Sequence, residues 1–371
     1  MMSDVPVTVD HRRGALALAE AGPAFDELAV AAGSPFTARR RWLQAWVDAD
    51  PHWDPWLVLV ERAGVLVAAA PLAVRRRGPF SEVVLLGDGP TDDARLPATY
   101  GTADLLAAAV VEGLPAGPWR LRLRQLPDRD PVVTALLGRL PCAALSPGQG
   151  MPLVRVDPDD PGRHLSKNSR KALAKIRNRL AERGLEPEFR WTRDADEVAA
   201  QLPDLVRVHR ERDLALGRRP DHDDPVAATF YHEVIQRHAR AGEVDLLTLH
   251  LEGDLAAFVC GFRDGRTFRS WDNRLAPRWA EVSAGRLANS EALRHVVQDQ
   301  QYDALDWMRG EEPYKLQSAT EVVPTVVLRA WSTPVLRATD ALAERAVDGA
   351  RSLLHSSPAL RRTRERVRAL R

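Results

Sequence analysis

Cysteine is almost absent: Cys142 and Cys260 are the only two in 371 residues. Two thiols cannot build a disulfide framework, they lack metal-ligand spacing, and both sit in apolar surroundings that read as buried. No apolar run approaches the roughly 20 residues that a bilayer-spanning helix needs. Met1 to Asp10 lacks the basic start and apolar stretch of a secretion signal, so the expectation is a soluble, cytoplasmic protein with no membrane partner. The formal net charge is only +1, so no global field draws polyanions and any polyanion site has to be a local patch. G-x-S-x-G, the P-loop pattern and G-x-G-x-x-G are all missing, which removes the main support for serine hydrolase, P-loop NTPase and Rossmann readings. His232, Glu233 and His238 share a helix without the H-E-x-x-H spacing, so they read as structural and no metal is expected.

Lysine is scarce too. Of 52 basic residues only Lys167, Lys171, Lys175 and Lys315 are lysines. Codon composition accounts for such a bias. Even so, three of the four cluster at one helix start, and the fourth lies in the most motif-like stretch of the chain.

What is present is globular. Hydrophobic residues make up 45% and charged residues 28%, and the length fits two domains better than one. In the first half, Phe36 to Val47 reads as a helix with Trp42, Leu43 and Trp46 on one face, followed by strands at Trp56–Val60 and Val65–Val74 about an Arg62-Ala-Gly64 turn. The second half repeats this order: a helix at Phe230–Ala241, a strand at Val244–Leu251, a Glu252-Gly-Asp254 turn and a strand at Leu255–Phe262. The two hairpins lay over each other without a gap, which predicts an internal duplication. A strand at Thr267–Trp271, a long loop from Asp272 to Ser283, a helix at Ala284–Asp299 and strands at Ala304–Met308 and Val322–Leu328 complete an α/β reading with one mixed sheet per half. The expected boundaries are 1–150, 151–335 and an arginine-rich helical tail at 336–371.

Three segments carry chemistry. Ser283-Ala284-Gly285-Arg286 opens a helix, with Ser283 placed to cap it; free first-turn amides, the positive end of the helix dipole and Arg286 suit a pyrophosphate, though many such helix starts bind nothing. Asp306-Trp-Met-Arg-Gly-Glu-Glu-Pro-Tyr-Lys315 follows a buried strand and gathers Arg309, Glu311, Tyr314 and Lys315 into a short loop, where scaffolds hold reactive groups. The helix from Ser166 to Arg183 sets Lys167, Arg170, Lys171, Lys175, Arg177 and Arg179 around an apolar stripe, either as a solvated face or as an anion site.

In this order the segments resemble the GNAT-type acetyltransferase family often associated with cellulose biosynthesis. Asp306, Arg309, Gly310, Tyr314 and Lys315 match that family's Asp-Phe-Leu-Arg-Gly-x-x-x-Tyr-Lys pattern, while Ser283-Ala284-Gly285 stands where Ser-Pro-Gly is usual. The resemblance covers roughly residues 30–330 and implies a tandem GNAT-like acyltransferase fold, similar in architecture to Fem-type transferases. It implies an N-acyltransferase that moves an acyl group, acetyl in the usual case, from acyl-CoA to an amine of a small molecule, amino sugar or amino acid. Asp272 and Glu311 are then candidates for the proton route, Tyr314 for the leaving thiolate, Arg309 or Lys315 for a carboxylate, and Ser283, Ala284, Gly285, Arg286 and Lys171 for CoA. Two alternatives stand beside it: an aminoacyl-tRNA-dependent amide-forming transferase, with RNA phosphates on the basic helix and tail, and a non-catalytic scaffold that binds a ligand or polyanion.

Overall fold

Continuous runs of apolar and small residues form the two expected hairpins, and each hairpin lies one strand in from the edge of a seven-stranded mixed sheet. The computed structural model describes residues 6–157, 159 and 167–356. Ser166, at the expected start of the basic helix, and the arginine-rich stretch after Pro358 lie outside the described residues.

The first sheet contains β1 (Val7–Arg13), β2 (Asp54–Arg62), β3 (Val65–Arg77), β4 (Phe80–Leu85), β5 (Trp119–Pro127), β6 (Ala144–Pro147) and, last in sequence, β14 (Thr325–Trp331). The second contains β7 (Met151–Arg155), β8 (Glu188–Thr192), β9 (Val244–Leu251), β10 (Asp254–Asp264), β11 (Thr267–Leu275), β12 (Ala304–Asp306) and β13 (Glu321–Val323). The helices are α1 (Ala17–Ala31), α2 (Arg40–Ala49), α3 (Ala103–Glu112), α4 (Pro131–Arg139), α5 (Lys167–Glu182), α6 (Ala195–Ala215), α7 (Pro225–Arg240), α8 (Ala284–Gln298), α9 (Pro313–Leu316) and α10 (Pro334–Ser356).

The same order recurs in both halves. A strand and two helices lead into an antiparallel hairpin and a third strand; a helix then crosses over to a parallel fourth strand. Thus β4 pairs with β5 across α3, and β11 pairs with β12 across α8, the crossover that a parallel pair requires. Sheet membership departs from the expected division at one point. The segment read as a single strand at Val322–Leu328 is two strands about Pro324: β13 pairs with β7 in the second sheet, and β14 returns to the first between β5 and β6.

Period-2 alternation divides the first sheet between two cores. Val58, Val60, Ala68 and Ala70 face a core shared with α3 and α4. Leu57, Leu59, Ala69 and Ala73 face one that also takes in α2 and most of the second half's apolar side chains. Trp42 of α2 sits at that junction, fully buried and edge-on to Phe230 and Trp271 at 5.0 and 5.5 Å. Ion pairs fix the approach: Arg41 with Glu243, Arg237 with Asp48, and Arg39 with Asp264, each at 2.6 Å. The halves therefore share a core, and the crevice between them is walled by both.

Candidate active site between the halves

The motif read at Asp306–Lys315 is a tight turn held by its own polar groups. Asp306 accepts a hydrogen bond from the Met308 amide at 2.7 Å and pairs with Arg269 at 2.6 Å, so its carboxylate holds the end of β12. Gly310 has φ +107°, a conformation that only glycine takes without strain, and its amide bonds to Gly150 O. Pro313 then starts α9, where its missing N–H costs nothing.

This turn borders a polar cleft of roughly 700 Å3 that also touches Asp92, Gln149, Trp271, Asn273 and Arg274. Arg309, Glu311, Tyr314 and Lys315 all line it. Arg309 reaches the first half, with Nε 3.0 Å from Asp92 and a guanidinium N–H donating to Gly89 O at 3.3 Å. Lys315 is 6% exposed; its ammonium donates to Arg309 O at 2.6 Å and pairs with Glu312 at 3.1 Å, leaving one of three donors for the cleft. The Tyr314 hydroxyl exchanges hydrogen bonds with Asn273 at 3.1 and 3.2 Å, and burial pushes it up to about 12. Glu311 is exposed and accepts from the Gly150 amide at 3.2 Å.

Asp272 lies elsewhere. The segment expected as a loop continues β11 to Leu275, and the pairing skips Trp271, a bulge that redirects the strand beside the cleft. Asp272 is buried, accepts from the Tyr231 hydroxyl at 2.9 Å, and pairs with Arg274 at 3.1 Å. It lines a second cleft of roughly 410 Å3 that joins the first at Asp92, Trp271, Arg274 and Arg309.

The remaining expected residues stand apart from both clefts. Ser283 occupies the N-cap position of α8, but at φ +58° its side chain makes no capping bond. The amides of Ala284 and Gly285 make no hydrogen bond among the described residues. A Cβ at Gly285 would come 2.8 Å from Leu275 Cδ2, so the glycine lets α8 pack on β11. Arg286 donates to Gln317 at 3.4 Å and lines a small cavity that reaches Trp307 and Tyr314. Lys171 is exposed on α5.

Sequence reading missed Asp92. Thr91-Asp92-Asp93 carries no motif that singles it out, yet both acids are buried: Asp93 faces Arg269 at 3.3 Å, and Asp92 opens into both clefts. Burial pushes Asp92 up to about 6, against the pull of Arg309 and Lys315. Such a carboxylate exchanges a proton close to neutral pH. Among the described residues no cluster of His, Cys, Asp and Glu is arranged to hold a metal ion.

Residues 167–316 match the model of the acetyltransferase (GNAT) domain family. The matched segment runs from α5 to α9 and takes in every site residue expected from the sequence. No curated protein matches the chain. Among solved structures, FemX is 7% identical at a TM-score of 0.58, over 85% of this chain and 96% of its own. The C-terminal domain of a protein named as a lysylphosphatidylglycerol synthetase, from Agrobacterium fabrum, is 12% identical at 0.53, over 91% and 97%. A conserved protein of unknown function from Bacteroides thetaiotaomicron is 11% identical at 0.52, over 88% and 99%. At these identities the likeness concerns the fold. The fold is tandem GNAT-like, and in the second half residues 167–316 are similar to an acetyltransferase (GNAT) domain.

Proposed function

We propose that the protein is an N-acyltransferase that moves an acyl group, acetyl in the simplest case, from acyl-CoA to an amine at the junction of the two clefts. The observation that carries this reading is Asp92: a buried carboxylate raised to about 6, and so ionised and able to take a proton at neutral pH, open to both clefts and beside the matched acyltransferase domain. In the proposed step the amine nitrogen attacks the thioester carbonyl and a C–N bond forms. The C–S bond breaks, the amine's proton passes to Asp92, and the departing thiolate is protonated from solvent. Tyr314, at about 12, is a weaker acid than a thiol near 8.5, so it serves as a hydrogen-bond donor to the developing oxyanion or sulfur. The third donor of Lys315 adds to that site. Glu311 lies at the rim, where it can carry a proton between the cleft and water.

The donor enters from the other side in this reading. Free amides at Ala284 and Gly285, after Ser283, take the pyrophosphate; Arg286 pairs with it, and Lys171 supplies outer positive charge. The cavity from Arg286 to Tyr314 links this end to the polar cleft. The expected boundaries at 1–150, 151–335 and 336–371 are kept as part of the proposal, with β14 as the strand by which the second part completes the first sheet. Nothing in the comparisons supports the association with cellulose biosynthesis.

One observation favours a second reading, transfer from aminoacyl-tRNA. Lys167, Arg170, Lys171, Lys175 and Arg177 are exposed on α5 with no ion pair among the described residues, whereas arginines such as Arg41, Arg193, Arg266 and Arg269 are paired. Such a face suits a phosphate backbone. Calorimetric titration with acetyl-CoA separates the two. The first reading expects saturable binding that weakens at least tenfold in Arg286→Glu; absence of binding, or indifference to that substitution, overturns this donor placement. Gly285 is a poor site for the same test because any side chain there meets Leu275.

A further inference from the structure

The second cleft has a chemistry of its own. It opens between the Asp88–Asp92 loop of the first half and α6 and α7 of the second, and is lined by the carboxylates of Asp50, Asp88, Asp92, Asp221, Asp224 and Asp272. Only Arg274 and Arg309 oppose them from the lining, and each is already held by a carboxylate, Asp272 at 3.1 Å and Asp92 at 3.0 Å. Arg124 takes Asp88 from outside, and Asp224 caps α7. Asp221 has no side-chain partner among the described residues. His222 adds no compensating charge at neutral pH, since burial and then His209 push it down to about 4.

The walls are aromatic. Trp46, Phe230, Tyr231 and Trp271 line the cleft, with Tyr231 and Trp271 stacked 5.5 Å apart. His209 is an independent sign that something belongs here. It is 5% exposed and lines the cleft, yet its Nδ1 makes no hydrogen bond among the described residues, although Asp213 stands at 3.3 Å, and its Nε2 is 3.8 Å from Asp272. A buried imidazole without a hydrogen bond has an unmet demand for a polar partner.

The geometry points to this cleft as the acceptor site for a primary amine that arrives as an ammonium ion on a flat apolar body. Carboxylates in excess attract the cation, the aromatic faces take both the cation and the body, and His209 accepts a hydrogen bond from the ammonium. The nitrogen is then delivered toward Asp92, where the two clefts meet; the ammonium releases one proton to water through the open cleft before it attacks, and Asp92 takes the second as the amide forms. This inference rests on the proposed acyl transfer and names its acceptor class.

The probe is 2-phenylethylamine, titrated calorimetrically without any donor, against its neutral isostere 2-phenylethanol and against phenylacetate. The expected result is amine binding at least tenfold tighter than the alcohol and no detectable binding of the acid. The exposed Asp221→Lys variant should lose tenfold or more in amine affinity and keep its affinity for the alcohol. Equal affinities for amine and alcohol, or an Asp221→Lys protein with unchanged amine affinity, would overturn the assignment. The acetyl-CoA titration is read separately. A protein that binds acetyl-CoA and not the amine refutes this acceptor class alone; one that binds the amine and not acetyl-CoA refutes the donor reading alone.

Discussion

Asp92 Oδ1 and Arg309 Nε, 3.0 Å apart, join a loop of the first half to the motif turn of the second. Their sequence separation hides the relationship, yet it fixes the mouth shared by both clefts. Arg309 is therefore engaged before any substrate arrives and is a poor candidate for binding a free carboxylate. In a double-mutant cycle of Asp92→Asn and Arg309→Gln, thermal or denaturant unfolding should give a coupling of about 1–2 kcal/mol, reduced from a fully buried pair because Arg309 is partly solvated. A coupling near zero would mean that the contact does not tie the halves.

Asp92 also sets a pH dependence. Its carboxyl, raised to about 6 by burial, accepts a proton only in the ionised form. With an amine acceptor and acetyl-CoA, kcat/KM should rise with pH through an apparent pKa near 6, below the range in which the amine itself titrates. The Asp92→Asn enzyme should be slower by 10²-fold or more and lack that limb. A variant that keeps the limb would move the base elsewhere, with Asp272 and Glu311 next to be tested.

Lys315 has two structural partners, Arg309 O and Glu312. Lys315→Ala should thus lower Tm as well as turnover, because it leaves a buried carbonyl unpaired, with a cost of about 1–3 kcal/mol. Lys315→Arg should lose activity with a smaller fall in Tm, since the larger guanidinium does not fit the compact ammonium's place. Wild-type kinetics in Lys315→Ala would remove this lysine from the mechanism.

His222 predicts acid lability. Held near 4 in the folded protein, it stays neutral while the unfolded chain takes up a proton near 6.5. The stability it contributes is complete above pH 6.5 and lost as the pH falls through 4. The decline in Tm between pH 6.5 and 4 should therefore be shallower in His222→Gln than in the parent. An unchanged decline would show that His222 titrates alike in both states.

Much of the second half was legible because its signals are local. The hairpins show in their apolar runs and turn residues, and the Asp306–Lys315 turn in its density of chemistry. Trp42, Leu43 and Trp46 marked a buried helix face correctly. What escaped depends on distant partners. Nothing near Thr325 says that β14 pairs with β5, some 200 residues earlier in the chain, and only Pro324 hints that the strand divides there. Asp92 and Asp93 went unnoticed because the groups that pair with them, Arg309 and Arg269, come from the other half. Asp272 was placed in a loop because the bulge at Trp271 breaks the alternation that marks a strand.

The central claim is that an acyl group passes from a CoA thioester to an amine beside Asp92. The most direct test is mass-spectrometric detection of product after incubating the full chain with acetyl-CoA and 2-phenylethylamine. The account predicts N-acetylated amine formed over many turnovers, at a rate at least 10²-fold lower in Asp92→Asn, with equimolar free CoA. No acetylated product at any amine concentration, from protein shown to bind both acetyl-CoA and the amine, would contradict it.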